Sequence, residues 1–247
     1  MIPKTIHYCW FGRNPLPQSA LKCISSWRKF FPDYEIKEWN EENFDVNIIP
    51  YTAQAYQAGK YAFVSDYARF WILYREGGVY FDTDVEVIKP MDDIIGRGAF
   101  MGIEVEASGE GAYPLVAPGL GIAVEPGHPF YQRILDYYAG VQFLNPDGTL
   151  NQMTVVRHTS QLLVEEGMQP HNALQQVSGI WIYPQDYFNP LDDLTGKLRT
   201  TANTRTIHWY SRSWQNRSTF TQWLSRMSHR LFGMRLHHMK KRLKSLR

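Results

Sequence analysis

Two aspartates one residue apart, Asp82 and Asp84, have the clearest capacity for chemistry in this sequence. Carboxylate oxygens are ligands that suit Mg²⁺ and Mn²⁺. Two carboxylates at i and i+2 on a tight bend can reach one ion and leave positions for phosphate oxygens and water. The spacing alone is common, and Asp92-Asp93 nearby is expected to be solvated surface. The interpretation as a metal site therefore depends on the elements that position the pair.

The segment around the pair predicts that the aspartates follow a strand. Gly77 and Gly78 end a long apolar helical pattern, as glycines past a helix C-terminus do. Val79-Tyr80-Phe81 then has the β-branched and aromatic character of a short strand, and Val85 to Ile88 has that of another. Because strand ends deliver side chains to the edge of a sheet, we expect both carboxylates at such an edge.

The remaining periodicity predicts an α/β domain in which strands and helices alternate. Helical patterns lie at 19–31, 50–59, 60–76, 129–139 and 149–166, and strand patterns at 4–11, 34–39, 79–81, 85–88, 99–104, 180–183 and 206–210. A glycine-rich loop within 117–124 is expected to feed one further strand. We expect one domain over 1–220 and a basic amphipathic C-terminal helix over 221–247.

Asp66 and Arg69 interrupt the apolar side of the 60–76 helix. They are three residues apart and therefore lie on one helical face. A surface ion pair is one interpretation. The aromatic neighbours favour an inward-facing pair instead, because buried charged residues are kept paired.

The composition excludes several classes of protein. Hydrophobic residues make up 44% and aromatic residues 15% of the 247 residues, so the chain can bury a core and is not disordered. Cys9 and Cys23 do not suggest a disulfide framework, which favours a reducing compartment. We expect no secretory signal, because Pro3, Lys4 and His7 lie where an apolar region would be needed. We also expect no membrane span, because no run of about 18 uncharged apolar residues exists.

The charge of the chain is unevenly distributed. Residues 226–247 contain eight of the 26 Lys and Arg and no acid, so the remaining 225 residues carry 18 basic and 24 acidic groups. One helical stripe collects the apolar residues of the tail, spaced by 4, 3, 4 and 3: Phe232, Leu236, Met239, Leu243 and Leu246. Such a helix suits an anionic membrane surface, and the alternatives are docking on the domain or a partly disordered end. We expect no nucleic-acid binding, because the tail lacks the aromatic side chains that stack on single-stranded bases and the body of the chain is acidic.

Several short stretches, taken together and in order, resemble the bacterial members of glycosyltransferase family 32. That family contains DXD-motif mannosyltransferases and capsular polysaccharide enzymes, and a more distant likeness connects the chain to the catalytic domains of large glucosylating toxins. The stretches are 2–12, 65–69, 77–84, 127–129, 207–209 and 213–214. The resemblance implies a GT-A fold, which is a mostly parallel, nucleotide-binding α/β sandwich with the acidic motif at its centre.

The resemblance also implies a role for each matching residue. Trp10 would stack on the nucleobase, and Asp66 and Arg69 would bind the donor sugar and ribose. Asp82 would touch the ribose, the sugar or the metal shell, and Asp84 would bind Mn²⁺ or Mg²⁺ directly. The implied catalytic residues are Asp66, Arg69, Asp82 and Asp84, and further donor contacts are implied at His7, Phe11, Tyr80, Ser213 and Trp214, the last two closing over the diphosphate.

A late metal ligand is implied at His208. Without the family pattern this residue would be interpreted as a satisfied buried histidine on a strand. The neighbouring Ser211-Arg212-Ser213-Trp214 sequence favours the metal-ligand interpretation.

The implied activity is transfer of a hexose from a UDP- or GDP-sugar to a polysaccharide, lipopolysaccharide or lipid-linked glycan. The family is similar to retaining transferases, which keep the anomeric configuration of the donor. No carboxylate is an obvious covalent nucleophile, so we favour front-face attack in which the leaving phosphate helps to deprotonate the acceptor hydroxyl. We expect a cytoplasmic protein with peripheral contact on the inner face of the cell membrane.

Two segments depart from the family pattern. Many relatives have an asparagine before the strand that corresponds to Leu120–Val124, and a Thr-Gly-Pro run near the later helix. This chain has Pro118-Gly119-Leu120-Gly121 and Asn151-Gln152-Met153-Thr154 at these places. Both segments are expected to face the acceptor, so the acceptor stays open. Fungal relatives begin with a membrane anchor, which we do not expect here.

Two alternative functions are compatible with parts of the sequence. Haloacid-dehalogenase-type phosphatases also place Asp-x-Asp after a strand, and Phe81-Asp82-Thr83-Asp84 resembles that start. Those enzymes need the motif on the first strand with Gly-Thr soon after, whereas Val85-Glu86 follows here. The other alternative is a non-catalytic protein that binds sugar or anionic lipid.

Overall fold

The computed structural model describes residues 1–151 and 153–211. The helices are α1 (Gln18–Phe30), α2 (Pro50–Gln57), α3 (Tyr61–Glu76), α4 (Asp92–Ile95), α5 (Pro129–Ala139), α6 (Val155–Glu165) and α7 (Gln185–Phe188). The strands are β1 (Thr5–Cys9), β2 (Glu35–Trp39), β3 (Gly78–Tyr80), β4 (Val85–Val87), β5 (Phe100–Val105), β6 (Leu115–Ala117), β7 (Ile122–Val124), β8 (Gln175–Val177), β9 (Ile180–Tyr183), β10 (Leu191–Asp192), β11 (Lys197–Leu198) and β12 (Thr206–His208).

Most of these elements lie where the sequence patterns predict them. The exception among the long helices is α6, which begins at Val155 rather than at residue 149. Leu150 pairs with Leu144 in an isolated β-bridge, which holds this part of the chain extended before the helix begins. The short elements α4, α7, β6, β8, β10 and β11 were not predicted, because segments of two to four residues carry little periodicity.

The main sheet has the strand order β2-β1-β3-β7-β5-β9-β8, with β6 paired to β5. Within the described part of the chain, five of its eight strands (β1, β2, β3, β5 and β9) run in one direction, and β6, β7 and β8 run in the other. The prediction of an α/β fold with a mostly parallel sheet is confirmed in this mixed form. The carboxyl ends of β1, β3 and β5 open on the same edge of the sheet, where ligands of α/β proteins bind.

Alternation along the strands builds one hydrophobic core on each face of the sheet. Val79 and Phe81 pack into the core that contains Trp27 of α1. Tyr80, between them, packs into the opposite core with Phe70 of α3. The segment that leads to Asp82 is therefore fixed from both sides.

Two glycines allow α3 to end and β3 to begin without a longer loop. Gly77 and Gly78 have φ angles of 63° and 100°, in the region that other residues rarely adopt. A Cβ atom on Gly78 would lie 2.6 Å from the carbonyl oxygen of Thr5. Glycine at this position thus lets β3 lie close to β1.

A small second sheet brings a distant part of the chain to the acidic pair. β12 pairs antiparallel with β4, and His208 lies opposite Val85. The Trp209 amide donates to the Asp84 carbonyl oxygen at 3.0 Å and extends the pairing by one residue. His208 consequently lies next to Asp84, although the two are far apart in the sequence.

Among the helices of residues 1–151 and 153–211, none is long and apolar enough to cross a membrane. The predicted helix over 221–247 lies outside the described residues, as do Ser213 and Trp214.

Candidate active site

A cavity of about 580 Å³ opens at the edge where β1, β3 and β5 end. This volume is in the range of small-molecule sites. Seven of the residues singled out in the sequence line it: Trp10, Phe11, Asp66, Arg69, Asp82, Asp84 and His208.

Arg69 connects the carboxylate of Asp66, on α3, to the carboxylate of Asp82, in the loop after β3. Its Nη2 atom lies 3.0 Å from Asp66 Oδ1 and 3.3 Å from Asp82 Oδ1. The Arg69 side chain is 4% exposed and that of Asp66 is 11% exposed. The inward-facing polar pair on α3 is therefore confirmed, and it reaches the acidic motif as well.

The contacts of Arg69 fix its orientation. Its Nε atom donates to the Ser65 carbonyl oxygen at 3.0 Å, one turn earlier in α3. Its guanidinium carbon lies 5.1 Å from the centroid of the Tyr80 ring. The planar guanidinium is thus held between a ring and two carboxylates, a geometry that lysine could not reproduce.

Burial and charge act in opposite directions on these carboxylates. Burial raises the pKa of Asp66, and the Arg69 guanidinium and the Val155 amide at the start of α6 oppose that change. Burial also raises the pKa of Asp82, again opposed by Arg69. The single cation opposes the effect of burial without cancelling it, so the pKa of Asp66 stays raised, at about 7, and that of Asp82 also stays raised.

Asp82 is held by its backbone, by Tyr80 and by close contact with a glycine. The Asp82 amide donates to the Gly119 carbonyl oxygen at 3.1 Å, and the Tyr80 hydroxyl donates to Asp82 Oδ1 at 3.1 Å. A Cβ atom on Gly119 would overlap Asp82 Oδ2. The loop between β6 and β7 can therefore pass this close to the carboxylate only with glycine at 119.

Asp84 lies in a different set of contacts from Asp82. Its Oδ1 atom is 3.2 Å from His208 Nε2, and its Oδ2 atom accepts hydrogen bonds from the Ser211 amide at 2.8 Å and hydroxyl at 3.0 Å. Burial favours the neutral acid, but these partners outweigh it and lower the pKa of Asp84. Burial by itself would lower the pKa of His208. The neighbouring Asp84 outweighs burial, so the pKa of His208 is raised. Asp84 is therefore a stable carboxylate at neutral pH.

The metal expected at Asp82, Asp84 and His208 can be tested against these contacts. Within the described ranges, no three His, Cys, Asp or Glu side chains are arranged around a common ion position. The residue types nevertheless suit a hard divalent cation, since they offer carboxylate oxygens and an imidazole. His208 Nδ1 is buried and has no hydrogen-bond partner among residues 1–151 and 153–211, so this nitrogen is available to a ligand.

Trp10 and Phe11 follow β1 and line the cavity. The Trp10 indole donates to the Asn14 carbonyl oxygen at 2.6 Å, which fixes the ring on the loop after β1. Phe11 is buried and packs on Phe44, with ring centroids 5.7 Å apart. Trp10 therefore offers a fixed flat surface in the cavity.

The structure corrects the donor contact assigned to His7. This residue is fully buried and lies outside the cavity. Its Nδ1 atom accepts from the Trp39 indole at 3.0 Å, and its Nε2 atom lies 3.0 Å from the Gly77 carbonyl oxygen. Both ring nitrogens are used inside the protein, because alternation along β1 points this side chain into the core. Tyr80 is also buried, and it acts on the cavity through its hydrogen bond to Asp82.

The sequence patterns did not assign three residues of the cavity to the site. Glu104 lines the cavity at the end of β5, Tyr210 lines it after β12, and Ser211 binds Asp84. Glu104 is an acid at the end of a predicted strand on the same edge as Asp82, which is a signal that could have found it. The two segments that depart from the family pattern also reach the cavity, through Gly119, Leu120 and Thr154.

Comparison with known families agrees with this geometry. Residues 17–101 match the family model described as "Glycosyltransferase sugar-binding region containing DXD motif". Residues 17–101 are thus similar to this sugar-binding region. The matched region includes Asp66, Arg69, Asp82 and Asp84, whereas Trp10, Glu104 and His208 lie outside it. The resemblance to DXD-motif glycosyltransferases is thereby confirmed.

Curated relatives of the sugar-binding region include several mannosyltransferases. The chain is 30% identical over 145 residues to inositol phosphoceramide mannosyltransferase 1 of Schizosaccharomyces pombe, covering 54% of this chain and 42% of the relative. It is 29% identical over 147 residues to the initiation-specific alpha-1,6-mannosyltransferase of Candida albicans, covering 56% and 35%. An uncharacterized glycosyltransferase of Acanthamoeba polyphaga mimivirus, L373, is 25% identical over 201 residues, or 76% of each chain. The chain thus spans less than half of the length of the two fungal relatives.

Among solved structures, the PaToxG glycosyltransferase aligns over 67% of this chain and 70% of its own, at 20% identity and a TM-score of 0.46.

Proposed function

We propose that this protein is a metal-dependent glycosyltransferase that moves a hexose from a nucleotide-sugar donor to a glycan or lipid-linked acceptor. The observation that carries the proposal is that Arg69 pairs with both Asp66 and Asp82 in the same cavity in which Asp84 pairs with His208. Since several relatives are named as mannosyltransferases, GDP-mannose is the first donor to test, together with UDP-hexoses.

The strand order supports one orientation for the donor. Trp10 follows β1 and Asp82 follows β3, and these strands are hydrogen-bonded neighbours. Neighbouring strands lie about 4.8 Å apart, which suits a base on Trp10 and a ribose and diphosphate near Asp82. Arg69, connected to Asp66 and Asp82, would hold the donor sugar and ribose, as the family pattern implies.

Asp84 and His208, with Asp82 beside them, are the residues that would hold Mn²⁺ or Mg²⁺. When bound, the ion would offset the negative charge that develops on the departing nucleoside diphosphate. Ser211 would keep the Asp84 carboxylate oriented through its two hydrogen bonds.

The contacts of the acids support retention by front-face attack. Asp66 and Asp82 are paired with Arg69, and Asp84 is paired with His208, so none of them is a free nucleophile. In this reaction the bond between the anomeric carbon and the phosphate oxygen breaks, and its electron pair leaves with the diphosphate. The acceptor oxygen bonds to the anomeric carbon on the same face, and its proton passes to the departing phosphate.

A thermal-shift screen of nucleotide sugars tests the proposed function. A donor present at about 100 times its Kd stabilises the folded state by about 2.7 kcal/mol, which should raise Tm by several degrees. We expect such a shift for one of GDP-mannose, UDP-glucose, UDP-galactose or UDP-N-acetylglucosamine with Mn²⁺ and not with EDTA. A complete panel with neither binding nor release of nucleoside diphosphate would contradict the proposal.

The basic tail is proposed to add peripheral contact with an anionic membrane. The support is the apolar stripe and the eight basic residues of 226–247. Removing residues 233–247 should reduce sedimentation with phosphatidylserine vesicles and leave donor hydrolysis in solution unchanged. Unchanged sedimentation would contradict membrane contact by the tail.

A further inference from the structure

A β-bulge lies at Glu104, at the end of β5. In the pairing of β5 with β6, Ile103 lies opposite Val116, and Val105 lies opposite Leu115, the residue next to Val116. Glu104 is therefore the extra residue between two paired positions. Such bulges turn a side chain away from the regular alternation and are common next to active sites.

Two buried or half-buried amides hold the backbone of this bulge. Gln185 Nε2 and Asn189 Nδ2 both donate to the Glu104 carbonyl oxygen, at 2.8 and 3.0 Å. Asn189 is 3% exposed, and its Nδ2 atom also donates to the Tyr210 hydroxyl at 2.7 Å. The bulge is thus connected to α7 and, through Tyr210, to the segment that carries His208.

The Glu104 side chain lines the same cavity as Asp84 and His208. In residues 1–151 and 153–211, no Lys, Arg or His nitrogen lies within ion-pair distance of its carboxylate. Burial raises the pKa of this carboxyl, and the nearby His208 and Tyr210 side chains oppose that change without cancelling it. A half-buried carboxylate of this kind retains capacity to accept hydrogen bonds from a ligand.

The strand order places Glu104 on the far side of the acidic motif from Trp10. β5 is two strands from β3, with β7 between them, which corresponds to about 10 Å. If the base lies at Trp10 and the diphosphate near Asp82, a sugar ring fits between the diphosphate and Glu104. An acceptor bound on this side would reach the anomeric carbon.

We infer that Glu104 accepts a hydrogen bond from a hydroxyl of the acceptor that neighbours the nucleophilic one, and thereby orients the nucleophilic hydroxyl toward the anomeric carbon. This inference rests on the proposed glycosyltransferase function. In the transfer, the acceptor oxygen forms the new bond to the anomeric carbon, the bond to the diphosphate breaks, and the hydroxyl proton passes to the departing diphosphate. Glu104 acts by position and forms no bond to the sugar. When no acceptor is present, a water molecule takes its place, with one hydrogen bonded to Glu104 and the other passing to the departing diphosphate.

The test measures donor hydrolysis and donor affinity in the full-length protein. The donor is the nucleotide sugar that gives the highest release of nucleoside diphosphate with Mn²⁺ for the wild type. Glu104→Gln keeps the shape of the side chain and removes its charge, and Glu106→Gln, at an exposed acid two residues later, is the matched control. Misplacement of a reacting group by about 1 Å can cost about 100-fold in rate, so we expect kcat to fall by this order in Glu104→Gln with an unchanged donor Kd.

The conservative variant and the product distinguish positioning from other roles. Glu104→Asp should recover part of kcat, and Glu106→Gln should match the wild type. A parallel change in donor Kd and kcat, or an unchanged kcat, would overturn the assignment. A covalent sugar adduct on Glu104, detected by intact mass, would overturn it as well. Failure of the wild type to bind or hydrolyse any donor would instead refute the proposed function itself.

Discussion

Arg69 of α3 and Asp82 after β3 form an ion pair on the floor of the cavity, with Nη2 3.3 Å from Oδ1. This contact joins a helix to the acidic motif, and the same nitrogen also reaches Asp66. The Arg69 guanidinium therefore affects both the stability of the fold and the position of the acidic motif.

Arg69→Met should destabilise the protein strongly. The variant leaves Asp66 and Asp82 without their cation, and removing one partner of a buried ion pair costs about 3–5 kcal/mol. Chemical denaturation would measure the free energy of unfolding. The matched control is Arg133→Met, because Arg133 pairs with Glu165 at the surface and exposed pairs contribute about 1 kcal/mol or less. Equal losses in the two variants would contradict the structural role of Arg69.

Gly119→Ala should reduce donor turnover. The added Cβ would overlap the Asp82 carboxylate, and a displacement of about 1 Å can cost about 100-fold in rate. Release of nucleoside diphosphate would be compared with Gly140→Ala, whose Cβ would meet the Tyr137 carbonyl oxygen at an ordinary 3.7 Å. Full activity in Gly119→Ala would show that donor turnover does not depend on the present position of the Asp82 carboxylate.

His7 should make stability depend on pH below neutrality. Burial lowers the pKa of His7 from 6.5 to about 4. Trp39 donates to its Nδ1 atom, so a proton on that atom would also break this hydrogen bond. Between these values the unfolded chain binds a proton that the folded protein does not, so stability is complete above pH 6.5 and falls as the pH drops toward 4. At about 1.4 kcal/mol per pKa unit, the loss is about 3 kcal/mol.

The measurement is the free energy of unfolding between pH 4 and 7.5. His7→Gln should be less stable at pH 7.5 but should show a flatter decline with acid. His171→Gln, at an exposed histidine, should keep the slope of the wild type. If His7→Gln and the wild type decline in parallel, His7 is not the group that titrates.

Local patterns predicted the elements that carry the acidic motif. The 60–76 periodicity and the Gly77-Gly78 pair lie within one continuous segment, so α3, the turn and β3 could be predicted from neighbouring residues alone. The burial of Asp66 and Arg69 also followed from their immediate neighbours on one helix.

Contacts between distant segments could not be predicted in the same way. The Glu104 bulge depends on the register between β5 and β6 and on amides of α7. The need for glycine at 119 depends on the close approach of a second loop to Asp82. His7 was assigned to the donor because it matches a family stretch, but the pleat of β1 directs its side chain into the core.

The most direct test of the central claim is release of nucleoside diphosphate from the preferred nucleotide sugar, measured with Mn²⁺ for the wild type, Asp84→Asn and Asp92→Asn. Asp84 lies in the cavity beside His208, whereas Asp92 is exposed on α4. We predict metal-dependent release by the wild type and Asp92→Asn, and loss of metal-dependent donor binding and release in Asp84→Asn. Equal activity of the two variants would contradict the placement of the donor and metal at Asp84.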